Sequence, residues 1–219
     1  MEIFVARHRP RAQSWKIYSI SSVMGPASCR FVFQSNIISA AVSEVKAAGD
    51  GGLMTRESYI RMTEKTRRVC AHLPGGAAFL RVPTYLCALV YLLALGQLAL
   101  AGDARFLRAL LVPAVCFGVV TVLRPLIGKQ RPYDRYAAEP VGSYRPGKGK
   151  SMPSRHTASA AAIAFAVIYA FPGWPVAAAM LALSALIASL RVLSGQHDVS
   201  DVLAALALSG AISAIGYLL

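Results

Sequence analysis

From residue 77 to the end, the chain alternates between long apolar runs and short polar clusters. Ala77 to Ala101 is apolar apart from Arg81 near its start, and Gly102-Asp103 marks a turn. Phe106 to Leu123 is a second run, with Arg108 near its entry. Thr157 to Phe171 is a third, Pro172-Gly173-Trp174-Pro175 turns the chain, and Val176 to Leu190 is a fourth. Val202 to Leu219 is the last. A helix that crosses a bilayer needs about 20 apolar residues, within a range of about 17–25. The pattern predicts an all-α fold, an integral-membrane helical bundle with about five transmembrane helices. The third and fourth runs are short, about 15 residues or about 22 Å of helix. Flanking polar residues are expected to extend them. Soluble core helices are the competing reading for any single short run, and so many runs in one small chain weigh against it.

Residues 55–73 follow another pattern. Arg56, Arg61, Lys65, Arg67 and Arg68 are mixed with Tyr59, Ile60, Met62, Val69 and Leu73 before Pro74-Gly75-Gly76. Such a helix is too charged to cross a membrane. It can lie on anionic headgroups, gaining about 1 kcal/mol per nearby basic residue. The chain therefore divides into a basic amphipathic interfacial helix over 54–76 and a transmembrane domain over 77–219. Residues 1–53 are aperiodic, lack a clean signal-peptide pattern and end in Ala48-Gly49-Asp50-Gly51-Gly52. They read as a poorly ordered N-terminal extension, either upstream of a true start at Met54 or a cytoplasmic tail.

Composition narrows the function classes. The chain is 56% hydrophobic and 15% charged, which excludes general disorder. Cys29, Cys70, Cys87 and Cys116 have no paired spacing, so a disulfide scaffold is not indicated. The net charge of +13 suits nucleic acid, an anionic membrane or a phosphorylated substrate. Long uncharged runs argue against nucleic acid, leaving membrane lipids and a phosphate-bearing substrate as partners.

Three polar clusters interrupt the apolar half: Arg124-Pro-Leu-Ile-Gly-Lys-Gln-Arg131-Pro132, Pro153-Ser154-Arg155-His156, and Arg191 through His197 to Asp201. The third and fourth runs form a hairpin, so the second and third clusters return to one membrane face, and the first leads into the same loop. Arg124, Arg131, Arg155 and Arg191 are thereby gathered, and guanidinium forks match phosphate oxygens. Packing these cations together calls for an anion. Ser154 stands where a helix cap belongs, and the free N–H groups of that helix start add to an anion site. His197 and Asp201 are four apart, on one helical face, so the carboxylate can fix the imidazole tautomer. A histidine so held is a nucleophile toward phosphorus, and His156 can protonate the departing alkoxide. No carboxylate cluster suits Mg²⁺, and two histidines make a poor zinc site. Neither a metal nor another cofactor is expected.

The ordered set resembles the type 2 phosphatidic acid phosphatase superfamily, which includes lipid phosphate phosphatases and vanadium haloperoxidases. Its pattern is a basic residue, six residues and Arg-Pro; then Pro-Ser-Gly-His; then Ser-Arg, five residues, His, three residues and Asp. The match covers about residues 80–219 with all three motifs in order. The resemblance implies His197 as nucleophile, Asp201 as its orienting acid and His156 as general acid. It implies Arg131, Ser154 and Arg191 as phosphate ligands, with Arg124 in the place usually held by lysine. Arg155 stands in the usual glycine's place and is read as a further phosphate ligand. Leu190 occupies the usual serine's place, with Ser189 one position early.

The resulting expectation is a phosphatase: metal-independent hydrolysis of a lipid phosphate or pyrophosphate monoester through a phosphohistidine at the membrane surface. The alternative is a non-catalytic anion- or lipid-binding membrane protein or transporter. The protein is expected in the cell (plasma or inner) membrane. Its basic loops favour a cytoplasmic site, whereas the resemblance implies an extracytoplasmic one, and both stay open.

Overall fold

The computed structural model describes residues 54–144 and 149–218. The expectations for residues 1–53 lie outside the described residues. The described residues form helices and no strand: α1 (Arg56–Ala71), a 3₁₀ helix (Gly76–Arg81), α2 (Val82–Leu100), α3 (Arg105–Ile127), α4 (Pro132–Tyr136), α5 (Arg155–Ala170), α6 (Trp174–Leu193) and α7 (Val199–Leu218). This is the all-α membrane fold that the apolar runs predict.

Four segments have the length and apolarity to cross a membrane: Gly76–Leu100, Arg105–Tyr136, Trp174–Leu193 and Val199–Leu218. The fifth, α5, has 16 residues, about 24 Å. The hairpin's two arms thus differ. α6 does gain residues at both ends and reaches past Arg191, whereas α5 starts at Arg155 but stops at Ala170. Its role differs too: α5 is the axis of the bundle, with α2, α3, α6 and α7 all packed against it. Alanines make this possible. Ala158, Ala160, Ala161, Ala162, Ala164 and Ala166 are all buried, and small side chains let helix backbones approach closely in lipid. One cluster joins Ala158 and Ala162 to Cys116 and Val120 of α3 and Ala205 of α7. The outer helices direct large apolar side chains outward instead, as at Leu92 and Val122, the arrangement a hydrocarbon solvent permits.

Fixed polar contacts close each end of α5. At one end Asp103 grips Arg105, whose Nη1 donates to the Ala170 carbonyl at 2.7 Å, satisfying a C-terminal acceptor. At the other end the hairpin brings the three polar clusters together. The Ser154 N–H donates to the Asp201 carbonyl at 3.1 Å, and the Ser151 N–H to that of Lys129 at 2.9 Å.

α1 lies at this same end. Thr55 caps it, accepting from the Ser58 N–H, and Tyr59, Thr63 and Cys70 form its buried face. The Tyr59 hydroxyl donates to the Gly195 carbonyl at 3.1 Å, Arg56 Nε to Tyr136 O at 3.2 Å, and Arg67 to Glu139 O at 3.3 Å. α1 therefore braces the turn that leads into His197. Gly195 is required there. Its φ is +71°, and an added Cβ would stand 2.5 Å from Tyr59 Oη and 2.7 Å from Thr63 Cγ2. Gly195→Ala should cost more than about 1 kcal/mol, and Tyr59→Phe about 1 kcal/mol. Thermal unfolding in detergent should show both as lowered Tm, with the alanine variant the lower.

Candidate active site

The residues at the polar end are set by how each helix starts or stops. α3 ends at Gly128, whose φ of +65° reverses the chain while its N–H closes on Arg124 O. The chain then presents Lys129 and Arg131, and Pro132 opens α4 with its preset φ. Ser154 is the N-cap residue of α5, placing Arg155 and His156 in the first turn. Past α6, the Gly195 turn delivers His197, and α7 begins with Asp201 in its first turn.

His197 and Asp201 meet, with Nδ1 3.4 Å from Oδ2, and their side chains are 3% and 0% exposed. The second oxygen, Oδ1, accepts from Lys129 Nζ at 2.7 Å. Ser151 Oγ donates to Oδ2, as does the Asp198 N–H at 3.0 Å. Lys129 also pairs with Asp198 at 3.2 Å, and Arg135 Nη2 reaches the same Asp198 oxygen at 3.1 Å. Burial pushes the His197 pKa below its usual value; Asp201 opposes this, and the positive charges of Arg131 and Arg124 reinforce it. The net direction favours the neutral imidazole, the form a nucleophile or base requires.

At the same end lies a cavity of about 370 Å³ whose walls include Arg81, Arg131, Arg155, His156 and Arg191, with Gln196 but not His197 or Asp201 among its lining. Arg191 is held by Thr84 Oγ1 at 3.3 Å and Arg81 by Ser143 Oγ at 2.7 Å. Arg131 Nε is buried with no hydrogen-bond partner among the described residues. A buried cationic donor without an acceptor is costly, and an anion in the cavity would relieve it. A second cavity of about 280 Å³ shares Thr84, Arg155 and His156 with the first. Its remaining walls are mainly apolar, including Cys87 and Ala88 of α2, Phe117 of α3, and Ile163 and Ile187.

Arg131, Arg155, His156 and Arg191 thus line one cavity, whereas His197 and Asp201 form a buried pair at the same end and do not line it. Ser154 is fully buried, and its hydroxyl makes no cap bond but accepts from Thr157 Oγ1 at 3.1 Å. Arg124 is buried off the cavity wall, where its guanidinium donates to the Lys150 carbonyl. Ser189 donates back to Ala185 O within its own helix. Sequence reasoning passed over Lys129, Ser151, Asp198 and Arg81. Lys129 and Asp198 lie inside the motif stretches, and Arg81 was visible as the lone charge in the first apolar run. Ser151 carried no signal. Among the described residues no three His, Cys, Asp or Glu side chains gather as a metal site.

The sequence model of the PAP2 superfamily matches residues 105–219. Among solved structures the chain is similar to a transmembrane PAP2-type phosphatidylglycerolphosphate phosphatase from Bacillus subtilis, with a TM-score of 0.58 and 20% identity, covering 78% of this chain and 89% of that one. No curated protein matches the chain.

The arginine wall should bind a tetrahedral oxyanion. Orthovanadate at about 100 times its Kd should stabilise the protein by about 2.7 kcal/mol, raising Tm in detergent. Arg131→Ala, Arg191→Ala and Arg155→Gly should each weaken that binding by about tenfold or more, the loss of a charge-assisted hydrogen bond. An unchanged vanadate response in Arg155→Gly would remove Arg155 from the anion site.

Proposed function

The chain belongs to the PAP2 superfamily, and from that premise we propose that it is a cell-membrane phosphatase hydrolysing a lipid phosphate or pyrophosphate monoester without a metal. The observation that carries this reading is the buried His197–Asp201 pair at the same end as a cavity lined by several guanidinium groups and a second histidine. An anion carrier needs the arginines, but has no use for a neutral imidazole aligned on a carboxylate.

The groups divide the reaction as follows. The guanidinium groups of Arg131, Arg155 and Arg191 hold the non-bridging phosphate oxygens and stabilise charge developing on them. The free ring nitrogen of His197 attacks phosphorus as the bond to the lipid oxygen breaks. Asp201 holds the Nδ1 proton and stabilises the positive charge arriving on the ring. His156 delivers a proton to the leaving oxygen. Water then attacks the phosphohistidine, losing its proton to His156, and His197 and inorganic phosphate are released. Ser154 and Arg124 shape the site from behind the wall in this reading, Arg124 by fixing the loop at Lys150.

The adjoining apolar cavity supports a lipid tail on the substrate, since it shares Thr84, Arg155 and His156 with the polar one. The basic residues of α1, at the same end, suit anionic headgroups as an interfacial helix would. Residues 54–76 are accordingly proposed as the interfacial unit and 77–219 as the catalytic unit.

Purified protein in EDTA should release phosphate from at least one of phosphatidate, phosphatidylglycerophosphate and a prenyl diphosphate. His197→Ala should reduce release by about 10³-fold or more while remaining folded. Full activity in that variant would remove His197 as nucleophile, and loss of activity on chelation would call for a metal. No release from any of the three, with vanadate binding intact, would favour an anion-binding membrane protein.

The acid limb of kcat/KM should fall below the pH of about 6.5 expected of an unperturbed histidine. Protonation destroys the nucleophile, and the folded pKa is depressed. Asp201→Asn removes the charge that opposes the depression. It should move the limb still lower while cutting kcat, and a limb moving upward would contradict the electrostatic assignment.

A further inference from the structure

We infer that Lys129 is a positioning residue for the Asp201–His197 pair, occupying one carboxylate oxygen so that the other stays aligned with the imidazole. The inference rests on the phosphatase reading of this site and adds to it a residue outside the motif positions.

The geometry divides the work between the two oxygens of Asp201. Oδ1 belongs to Lys129 Nζ, at 2.7 Å. Oδ2 faces His197 Nδ1 at 3.4 Å, and takes hydrogen bonds from Ser151 and the Asp198 N–H. Without the ammonium, Oδ1 would lose its charged partner and the carboxylate its anchor on that side, while the negative charges of Asp198 and Asp201 would stand less balanced. An Asp201 free to turn from its alignment could not hold the Nδ1 proton of His197 in place.

Lys129 has no other task within reach. An ammonium has three donor protons. Here its contacts are Asp201 Oδ1 at 2.7 Å, Ser200 Oγ at 2.8 Å and Asp198 Oδ2 at 3.2 Å. Its side chain is 2% exposed, and Lys129 is absent from the walls of both cavities. All three of its donor protons thus have protein acceptors.

The charge balance gives the role a signature. Lys129 and Arg135 face Asp198 and Asp201 in one ionic cluster. The groups facing His197 are Asp201 and Ser151, with the charges of Arg131 and Arg124 and the neighbouring His156. Removing Lys129 alone leaves an excess negative charge behind Asp201, which makes the His197 imidazole hold a proton more tightly. Lys129→Arg keeps the charge and changes the donor geometry, so it separates the charge from the packing of the loop.

The test is Lys129→Met beside Lys129→Arg, the charge-balanced pair Lys129→Met/Asp198→Asn, and His197→Ala. In Lys129→Met the acid limb of kcat/KM should rise by about one pH unit. In the same variant kcat should fall about tenfold or more, with KM within about threefold of wild type. Lys129→Arg and the charge-balanced pair should return the limb to its wild-type position. The His197 titration, followed by NMR of histidine-labelled protein with His197→Ala for assignment, should show the same upward shift. An unmoved titration in folded Lys129→Met, or a raised KM with kcat intact, overturns the inference. If Lys129→Met does not fold, the comparison of Lys129→Arg with the charge-balanced pair decides, and different limb positions in those two count against it. Should wild-type protein show no release dependent on His197, the phosphatase reading fails instead, and the NMR titration still judges Lys129.

Discussion

A carboxylate cannot be buried ionised unless donors surround it, and Asp201, with no exposed surface, is the point on which the polar end of this bundle depends. Its donors come from far along the chain. Lys129 arrives from the turn after α3, Ser151 from the loop before α5, and His197 and the Asp198 N–H from the turn after α6. Its own backbone carbonyl takes the Ser154 N–H, tying down the start of α5. The demand of one buried charge for hydrogen bonds thus aligns the separate segments that bear the polar clusters. The Ser154 N–H bond to Asp201 O places the α5 N-terminus, and with it Arg155 and His156, at the same end as His197.

The cavity in front poses the opposite problem. Arg81, Arg131, Arg155 and Arg191 repel one another, and the protein restrains two of them with neutral acceptors, Ser143 for Arg81 and Thr84 for Arg191. Neither acceptor carries charge, so the positive field stays unneutralised where a phosphate would bind. Lys129 and Arg135, by contrast, are neutralised by Asp198 and Asp201. Among the described residues Lys129 and Arg135 are in ion pairs, whereas the wall arginines, and Arg124 off the wall, are in none. This separation suits the cavity to an anion rather than to a dense patch of ion pairs.

The apolar runs revealed the helices because the bilayer imposes a length that sequence records directly. The motifs revealed the reactive face because a hairpin returns its ends to one side. The length and place of α5 were less legible: hydropathy does not distinguish a lipid-facing helix from one buried among others. The distinguishing signal was the run of alanines, which fill little space and so suit the centre. Arg124 illustrates a second limit. Its spacing to Arg131 suited a phosphate ligand, yet α3 continues through it and directs it to the Lys150 carbonyl. Lys129 and Ser151 were hidden for a third reason. A buried lysine and a loop serine look like ordinary solvated residues until the carboxylate they serve is located in space.

Arg155 joins the two halves of the site. It stands in the first turn of α5 and on the walls of both cavities, the charged one and the apolar one. A long aliphatic stem with a charged end suits such a boundary, since the methylenes can cover apolar wall while the guanidinium stays with the polar groups. A glycine in this place would take that side chain off both walls and remove one positive charge. The arginine puts a donor fork where the two cavities share their lining. In the proposed reaction it would meet the part of a substrate nearest the scissile bond, where the phosphate and the hydrocarbon tail join.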